Sequence, residues 1–248
     1  MTIQTFIFVH DQEIILDFIK HKKFNDLTNL KYVFLGDRDI SKLNGIDNVI
    51  ITRDLEFNME QYPKLTSYTG WYALWKNNLI NSEYINLFEY DIIVEKELES
   101  KIKETIENEN VDVIGYIPFN VHHYNFLKHM PWCEKLVQSL QTIYNININS
   151  YLSNFPQDKQ CSMTSNHTMS KKSFEMYMEW IDKMIENIRQ SNLSGHEVER
   201  SISVFYLLKN LNYKILIGSL NHYQFDSHQT QGISQEKFKI NYKNLVEN

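Results

Sequence analysis

Short apolar runs alternate with amphipathic segments along most of this 248-residue chain, and that alternation constrains the fold more than any single motif. Compact apolar runs rich in β-branched and aromatic residues read as buried strands, whereas apolar residues at steps of three and four read as helices. Thr5 to His10 predicts a first strand, followed by a helix with Ile14, Ile15, Phe18 and Ile19 on one side. Lys31 to Gly36 and Asn48 to Thr52 predict two more strands. From Pro63, apolar residues at Leu65, Tyr68, Tyr72, Trp75 and Leu79 form a helical stripe, and Glu83 to Phe88 returns to strand. Leu98, Ile102 and Ile106 mark the next helix, Val111 to Ile117 a strand, and the positions from Trp132 to Tyr144 a further helix. Ile146 to Thr168 is rich in Asn and Ser and shows no clear period. Phe174 to Ile188 carries the cleanest amphipathic pattern, and a helix from about Ser194 to Asn210 precedes a last strand, Tyr213 to Ile217. Strands alternating with helices in this way predict an α/β fold, a mostly parallel central sheet flanked by helices. No Gly-, Pro- or Ser-rich linker divides the chain, so residues 1–248 read as a single domain.

The net charge of −6 argues against a nucleic-acid backbone as the main partner. It does not argue against a phosphorylated small molecule, because a bound cation supplies positive charge locally. Cys133 and Cys161 have neither metal-ligand spacing nor a disulfide framework. With no basic leader ahead of the first strand, they predict a reducing, cytoplasmic setting. No apolar run approaches the roughly 18 residues of a transmembrane segment, which leaves room for a peripheral membrane contact at most.

Open α/β sheets bind ligands beyond the carboxyl ends of their strands. Those ends carry His10-Asp11, Asp37-Arg38-Asp39, Arg53-Asp54, Glu89-Tyr90-Asp91, Asn120 to His123, and His222 to His228. The most telling segment is Tyr84 to Val94, in which an apolar strand ends in two carboxylates one residue apart before apolar residues resume. In extended backbone, residues i and i+2 point the same way, so Glu89 and Asp91 can face one spot. Two such carboxylates repel unless one is protonated or a cation bridges them, and hard oxygen ligands suit Mg²⁺ or Mn²⁺. An ordinary solvated strand end is the alternative.

Glu89-Tyr90-Asp91 resembles the Asp-x-Asp signature of GT-A glycosyltransferases, in a Glu-x-Asp form. The opening strand, the aromatic helix Tyr68 to Lys76 ahead of the motif strand, and the late Gly195-His196-Glu197-Val198-Glu199-Arg200 segment are similar to bacterial and viral polysaccharide-building transferases in outline. The resemblance implies a single GT-A (Rossmann-like) domain, with a nucleotide-sugar-binding half at residues 1–120 and an acceptor-binding half at 121–248. It implies Asp91 as a metal ligand and a late histidine completing the shell, His222 before His228. Glu89 is then left with the metal, the ribose or neither. It also implies His10, Asp11 and Asp37 at the base and ribose of the donor, although Asp11 equally suits a helix N-cap. Glu197, or Glu199, would be the general base, although Ser194-x-x-Glu197 also matches a capping box at a helix start. Trp71, off the buried stripe of Tyr68, Tyr72 and Trp75, is a candidate for stacking on a base or sugar. Lys76 and Arg53 are candidates for phosphate, and the stretch from Ile146 to Thr168, with its Asn166-His167-Thr168 segment, for the acceptor side.

The glycine motifs of dinucleotide oxidoreductases, P-loop NTPases and α/β-hydrolases are absent, and His196-Glu197 lacks the second histidine of a zincin helix. The expected function is metal-dependent transfer of a sugar from a nucleotide-sugar, with UDP favoured as the nucleotide, to a hydroxyl of a saccharide or glycoconjugate. A noncatalytic nucleotide-sugar or carbohydrate-binding module of the same fold, or a metal-dependent nucleotidyltransferase or phosphohydrolase, is the alternative.

Overall fold

Burial on both faces makes the first strand, β1 (Ile3–Val9), the axis of the sheet. Ile3, Ile7 and Val9 enter one core, and Phe6 and Phe8 the other, as a two-residue period requires. The computed structural model describes residues 1–122, 133–162 and 164–222. Within them, β1 is followed by α1 (Gln12–Lys20), β2 (Leu30–Phe34), β3 (Val49–Ile51) and single 3₁₀ turns at Thr52–Asp54 and Pro63–Leu65. Next come α2 (Ser67–Lys76), β4 (Tyr84–Glu89), β5 (Ile92–Val94), α3 (Leu98–Glu109), β6 (Val113–Gly115) and β7 (Phe119–Asn120). The rest comprises α4 (Glu134–Tyr144), α5 (Ile148–Leu152), β8 (Gln160–Cys161), β9 (His167–Ser170), α6 (Lys171–Ile188), α7 (Ser194–Leu208), β10 (Tyr213–Ile215) and β11 (Leu220–His222).

Seven strands form the central sheet in the order β10-β6-β9-β4-β1-β2-β3. All run parallel except β9, which is antiparallel to both its neighbours, β4 and β6. The expected mostly parallel sheet is therefore present, with one reversed strand near its middle. That strand lies in the stretch from Ile146 to Thr168 and just beyond it, where the sequence shows no period, because three of its four residues, His167, Thr168 and Ser170, are polar yet buried or nearly so. Two small antiparallel ribbons, β5 with β11 and β7 with β8, flank the sheet.

Helices α2, α4, α6 and α7 cover one face, sharing a core with Phe6, Phe8 and Val33. α1 and α3 cover the other, packing on Ile3, Ile7 and Val9. Gly70 explains how closely α2 lies on the sheet: a Cβ there would come within 2.7 Å of the Phe8 ring and 2.9 Å of Leu35. The predicted helix beginning at Trp132 is seen from Glu134, and Trp132, His123 and His228 lie outside the described residues. Among the described residues, no helix is long and apolar enough to cross a membrane.

A row of buried polar groups crosses the sheet on the α1/α3 side. Asn86 donates to Thr5 Oγ1 at 2.9 Å, Thr168 donates to Asn86 Oδ1 at 2.6 Å, and the Tyr116 hydroxyl bonds Thr168 Oγ1. Next to this row stands His167, fully buried and facing Tyr206. Burial pushes its imidazole down to about 4, against a smaller opposing pull from the backbone of Ser162 and Ser165. The folded protein thus disfavours the charged ring. An unfolded chain takes up this proton near the ordinary value of 6.5, so the stability contributed by the neutral ring is complete above that pH and lost as pH falls toward 4. Wild type should lose about 2 kcal/mol more stability between pH 7 and pH 5 than His167→Gln, measured by urea denaturation at both pH values.

Candidate active site

The carboxyl ends of three adjacent parallel strands, β2, β1 and β4, open onto one cavity of about 440 Å³. β1 delivers His10, the loop after β2 delivers Gly36, Asp37 and Arg38, and β4 delivers Glu89, Tyr90 and Asp91. The opposite wall is Glu60, Pro63 and the first turn of α2, with Thr66, Ser67 and Thr69. Four residues expected from sequence, His10, Asp37, Glu89 and Asp91, therefore meet in one place. Arg38, which the sequence places between Asp37 and Asp39 at a strand end, lines the same cavity, as do Glu60 and Thr66, which the sequence did not single out.

Glu89, His10 and Glu60 are held in place. The Glu89 amide donates to Asn166 Oδ1 at 2.7 Å, and Ser67 Oγ donates to Glu89 Oε1 at 2.9 Å. Asp91 lies beyond the end of β4, where burial first and the neighbouring Glu89 charge second push its carboxyl up to about 7. A carboxylate raised in this way is one that a cation would stabilise. The His10 ring packs edge-on to Tyr90 with centroids 5.0 Å apart. Burial and the Arg38 charge hold that ring below its ordinary value, against Asp11 and Glu89. Glu60 accepts from the Gly36 amide at 2.6 Å and from the Thr52 hydroxyl, so it ties the β2 loop to the α2 side.

A second cavity of about 370 Å³ adjoins the first. Thr66 and Glu89 line both, and Lys64, Ser165, Asn192, Leu193, Gly195, His196 and Glu199 complete it. One face of α7 builds this wall, since residues 196 and 199 are neighbours at helical spacing. His196 Nδ1 lies 3.6 Å from Glu199 Oε2, to which Arg200 also donates.

Several expectations need correction. Glu197 points away from both cavities. It is fully buried, and its Oε2 accepts the Leu136 amide, so it caps the start of α4 rather than its own helix. The capping box fails as well, because Leu193 is the N-cap of α7 and Ser194 Oγ donates to Lys64 O at 3.0 Å. Trp71 is not available for stacking: it is fully buried among Phe8, Tyr68 and Tyr177, while Tyr72 and Trp75 are only partly covered. Lys76 ends α2 at the far end from Ser67, roughly 14 Å along the helix axis. There it lies 3.8 Å from Asp182 and 3.7 Å from the Trp75 ring centroid. The helix runs against β4, so the end that sits over Glu89 is its beginning. Arg53 donates to the Arg38 carbonyl at 3.0 Å and lines neither cavity. Asp11 is the α1 N-cap, accepting from Glu13 at 2.9 Å, and pairs with Arg38 at 3.3 Å.

Among the described residues, no group of three or more His, Cys, Asp or Glu side chains gathers into a metal-binding set. The ribbon of β5 and β11 bears on this, because it aligns the backbone of His222 opposite Ile92, the residue after Asp91. Of the stretch from Ile146 to Thr168, Ser165 reaches the second cavity, whereas Asn166, just ahead of β9, and His167 and Thr168 within it are buried.

No protein-family model and no curated protein sequence matches the chain. Solved structures do. The bifunctional glycosyltransferase WbbM superposes with a TM-score of 0.59 at 16% identity, over 90% of this chain and 46% of its own. The fold is the GT-A glycosyltransferase fold. The chain thus spans less than half the length of WbbM. Glucosyl-3-phosphoglycerate synthase from Mycobacterium tuberculosis, solved with Mn²⁺ and UDP-glucose, gives a TM-score of 0.40 at 10% identity, over 99% of this chain and 76% of its own. The mannosyltransferase Ktr4p from S. cerevisiae, solved with GDP, gives 0.43 at 10% identity, over 98% and 80%.

The wall between the cavities is a strained turn. Thr66 adopts φ 51° and ψ −128°, a conformation that a β-branched residue resists and glycine tolerates. Gly195 presses against it, since a Cβ there would lie 2.8 Å from Thr66 Oγ1 and Cγ2 and 3.0 Å from Lys64 O. Gly195→Ala should therefore cost about 1–3 kcal/mol of stability. Thr66→Gly should recover part of that loss in the double variant, as a urea-denaturation mutant cycle would show.

Proposed function

We propose that this chain is a metal-dependent glycosyltransferase that moves a sugar from a nucleotide-sugar donor to a hydroxyl of a saccharide or glycoconjugate. The observation that carries the reading is the pair of abutting cavities. The first, at the strand ends, has the acidic and polar lining that a metal-bound nucleotide needs, and the second shares Glu89 and Thr66 with it. Two substrates seated in them would meet at Glu89. The first cavity is built wholly from residues 8–91 and the second mainly from residues beyond 160, which supports a donor half and an acceptor half. The fold shared with WbbM supports the same class of reaction.

Asp91 and His222 are the residues that would hold a divalent cation. The donor chemistry fits: a half-buried carboxylate beside a second carboxylate, with an imidazole-bearing residue aligned by backbone pairing, suits Mn²⁺ or Mg²⁺. Such an ion neutralises the charge that develops on a departing nucleoside diphosphate. His10, Asp37 and Arg38 surround the space for the nucleoside and its phosphates, and Arg38 supplies the cationic side chain of that lining. Glu89, fixed by Ser67 and Asn166, faces the transferred sugar from the junction. UDP is the favoured nucleotide.

Calorimetric titration of UDP, GDP, CMP and dTDP, each with and without Mn²⁺, tests the reading on wild type and Asp91→Ala. One nucleotide should bind in a metal-dependent manner, and the variant should lose at least about tenfold in affinity while its thermal unfolding stays cooperative. Folded wild-type protein that binds none of the four would overturn the transferase reading.

A further inference from the structure

The side of α7 that faces the second cavity holds a proton-accepting pair that the position of the acidic residues alone does not reveal. His196 and Glu199 lie one turn apart and both line the cavity. His196 Nδ1 stands 3.6 Å from Glu199 Oε2, and the Arg200 guanidinium donates to the same oxygen. Glu199 is largely covered, its side chain 17% exposed, whereas that of His196 is 56% exposed. With Nδ1 turned to the carboxylate, Nε2 is the nitrogen left at the open end of the ring. A carboxylate held by a guanidinium and set close to an imidazole can orient that ring, while the oxygen nearest the ring is committed to the guanidinium.

We propose that His196 is the catalytic base toward the acceptor and that Glu199 is a positioning residue acting through the ring. The proposal rests on the transferase reading above. In the step, Nε2 takes the proton of the acceptor hydroxyl while the oxygen forms a bond to the anomeric carbon. The bond from that carbon to the phosphate oxygen breaks, and its electron pair leaves with the nucleoside diphosphate. Attack opposite the leaving group inverts the anomeric configuration. The charged groups facing His196 are Glu199 and Arg200 on its own helix, Lys64 from the turn before α2, and Glu89 at the end of β4. Burial and then the Arg200 charge hold the ring below its ordinary value, against Glu89, so it is neutral at neutral pH and able to accept a proton.

The test measures release of nucleoside diphosphate from the sugar nucleotide of whichever base the calorimetric panel selects, with Mn²⁺, a set of p-nitrophenyl glycosides and water as acceptors, from pH 5 to 8. Wild-type kcat/KM should fall along an acid limb that lies below the ordinary histidine range. His196→Gln should lose at least about 100-fold in kcat and flatten that acid limb, with nucleotide affinity unchanged. Glu199→Gln, which still accepts a hydrogen bond, should keep the limb, displaced, and most of the rate. The proposal is overturned if His196→Gln retains its rate while Glu199→Gln loses it. A wild-type chain that binds no nucleotide fails earlier, at the donor reading itself, and takes this proposal with it.

Discussion

β4 is buried on both sides along its length, so charge can enter the middle of the sheet only where that strand ends. Every part of the candidate site follows from that constraint. Ile85, Asn86, Leu87 and Phe88 are all buried, and the next residue is Glu89. The strand does not fray there, because Asn166, from the chain leading into β9, takes the Glu89 amide as it leaves the ladder. Ser67, at the start of α2, takes the side chain. Backbone and carboxylate are thus fixed by two elements that come from opposite directions, and Asp91 follows on a chain already pinned. The antiparallel β9 is what makes this arrangement available, since it reverses direction and brings Asn166 to the end of β4 at which Glu89 stands.

Much of the fold was legible because the apolar period changes cleanly between two and about 3.6 residues. β1, β2, β4, α3, α6 and α7 begin and end within a few residues of where the pattern puts them. β9 was not legible. Its buried residues include His167 and Thr168, whose burial depends on Tyr116, Asn86 and Tyr206 from distant parts of the chain. No local pattern encodes such partners. The small ribbons are two or three residues per strand and carry no period at all.

At the site, strand ends were readable and helix faces were not. His10, Asp37, Glu89 and Asp91 stand at the carboxyl ends of parallel strands, and topology alone collects them. For α7 the question was which way each residue points. Glu197 and Glu199 differ by about 200° around a helix, so they cannot share a target. The sequence around them does not say that α4 begins beside Glu197 and needs a cap. Trp71 was misjudged for a related reason. The stripe through Tyr68, Tyr72 and Trp75 marks a side of α2 of which only Tyr68 is fully buried, whereas the helix is pressed between the sheet and α6, and Gly70 lets the sheet approach closely enough to cover Trp71. A glycine beside a large aromatic was the available sign of that close approach.

The reversed strand also sets an order in time. Thr168 Oγ1 bonds Asn86 across 82 positions of sequence, and Asn166 reaches Glu89 across 77. Pairings over such separations form late, because a long loop must close before any contact rewards it. While the chain is being synthesised, β1, β2 and β4 are complete long before β9 exists, so the edge of β4 that will receive it is open to solvent and to other chains. The charged strand end therefore reaches its working geometry only once the second half of the molecule has been made.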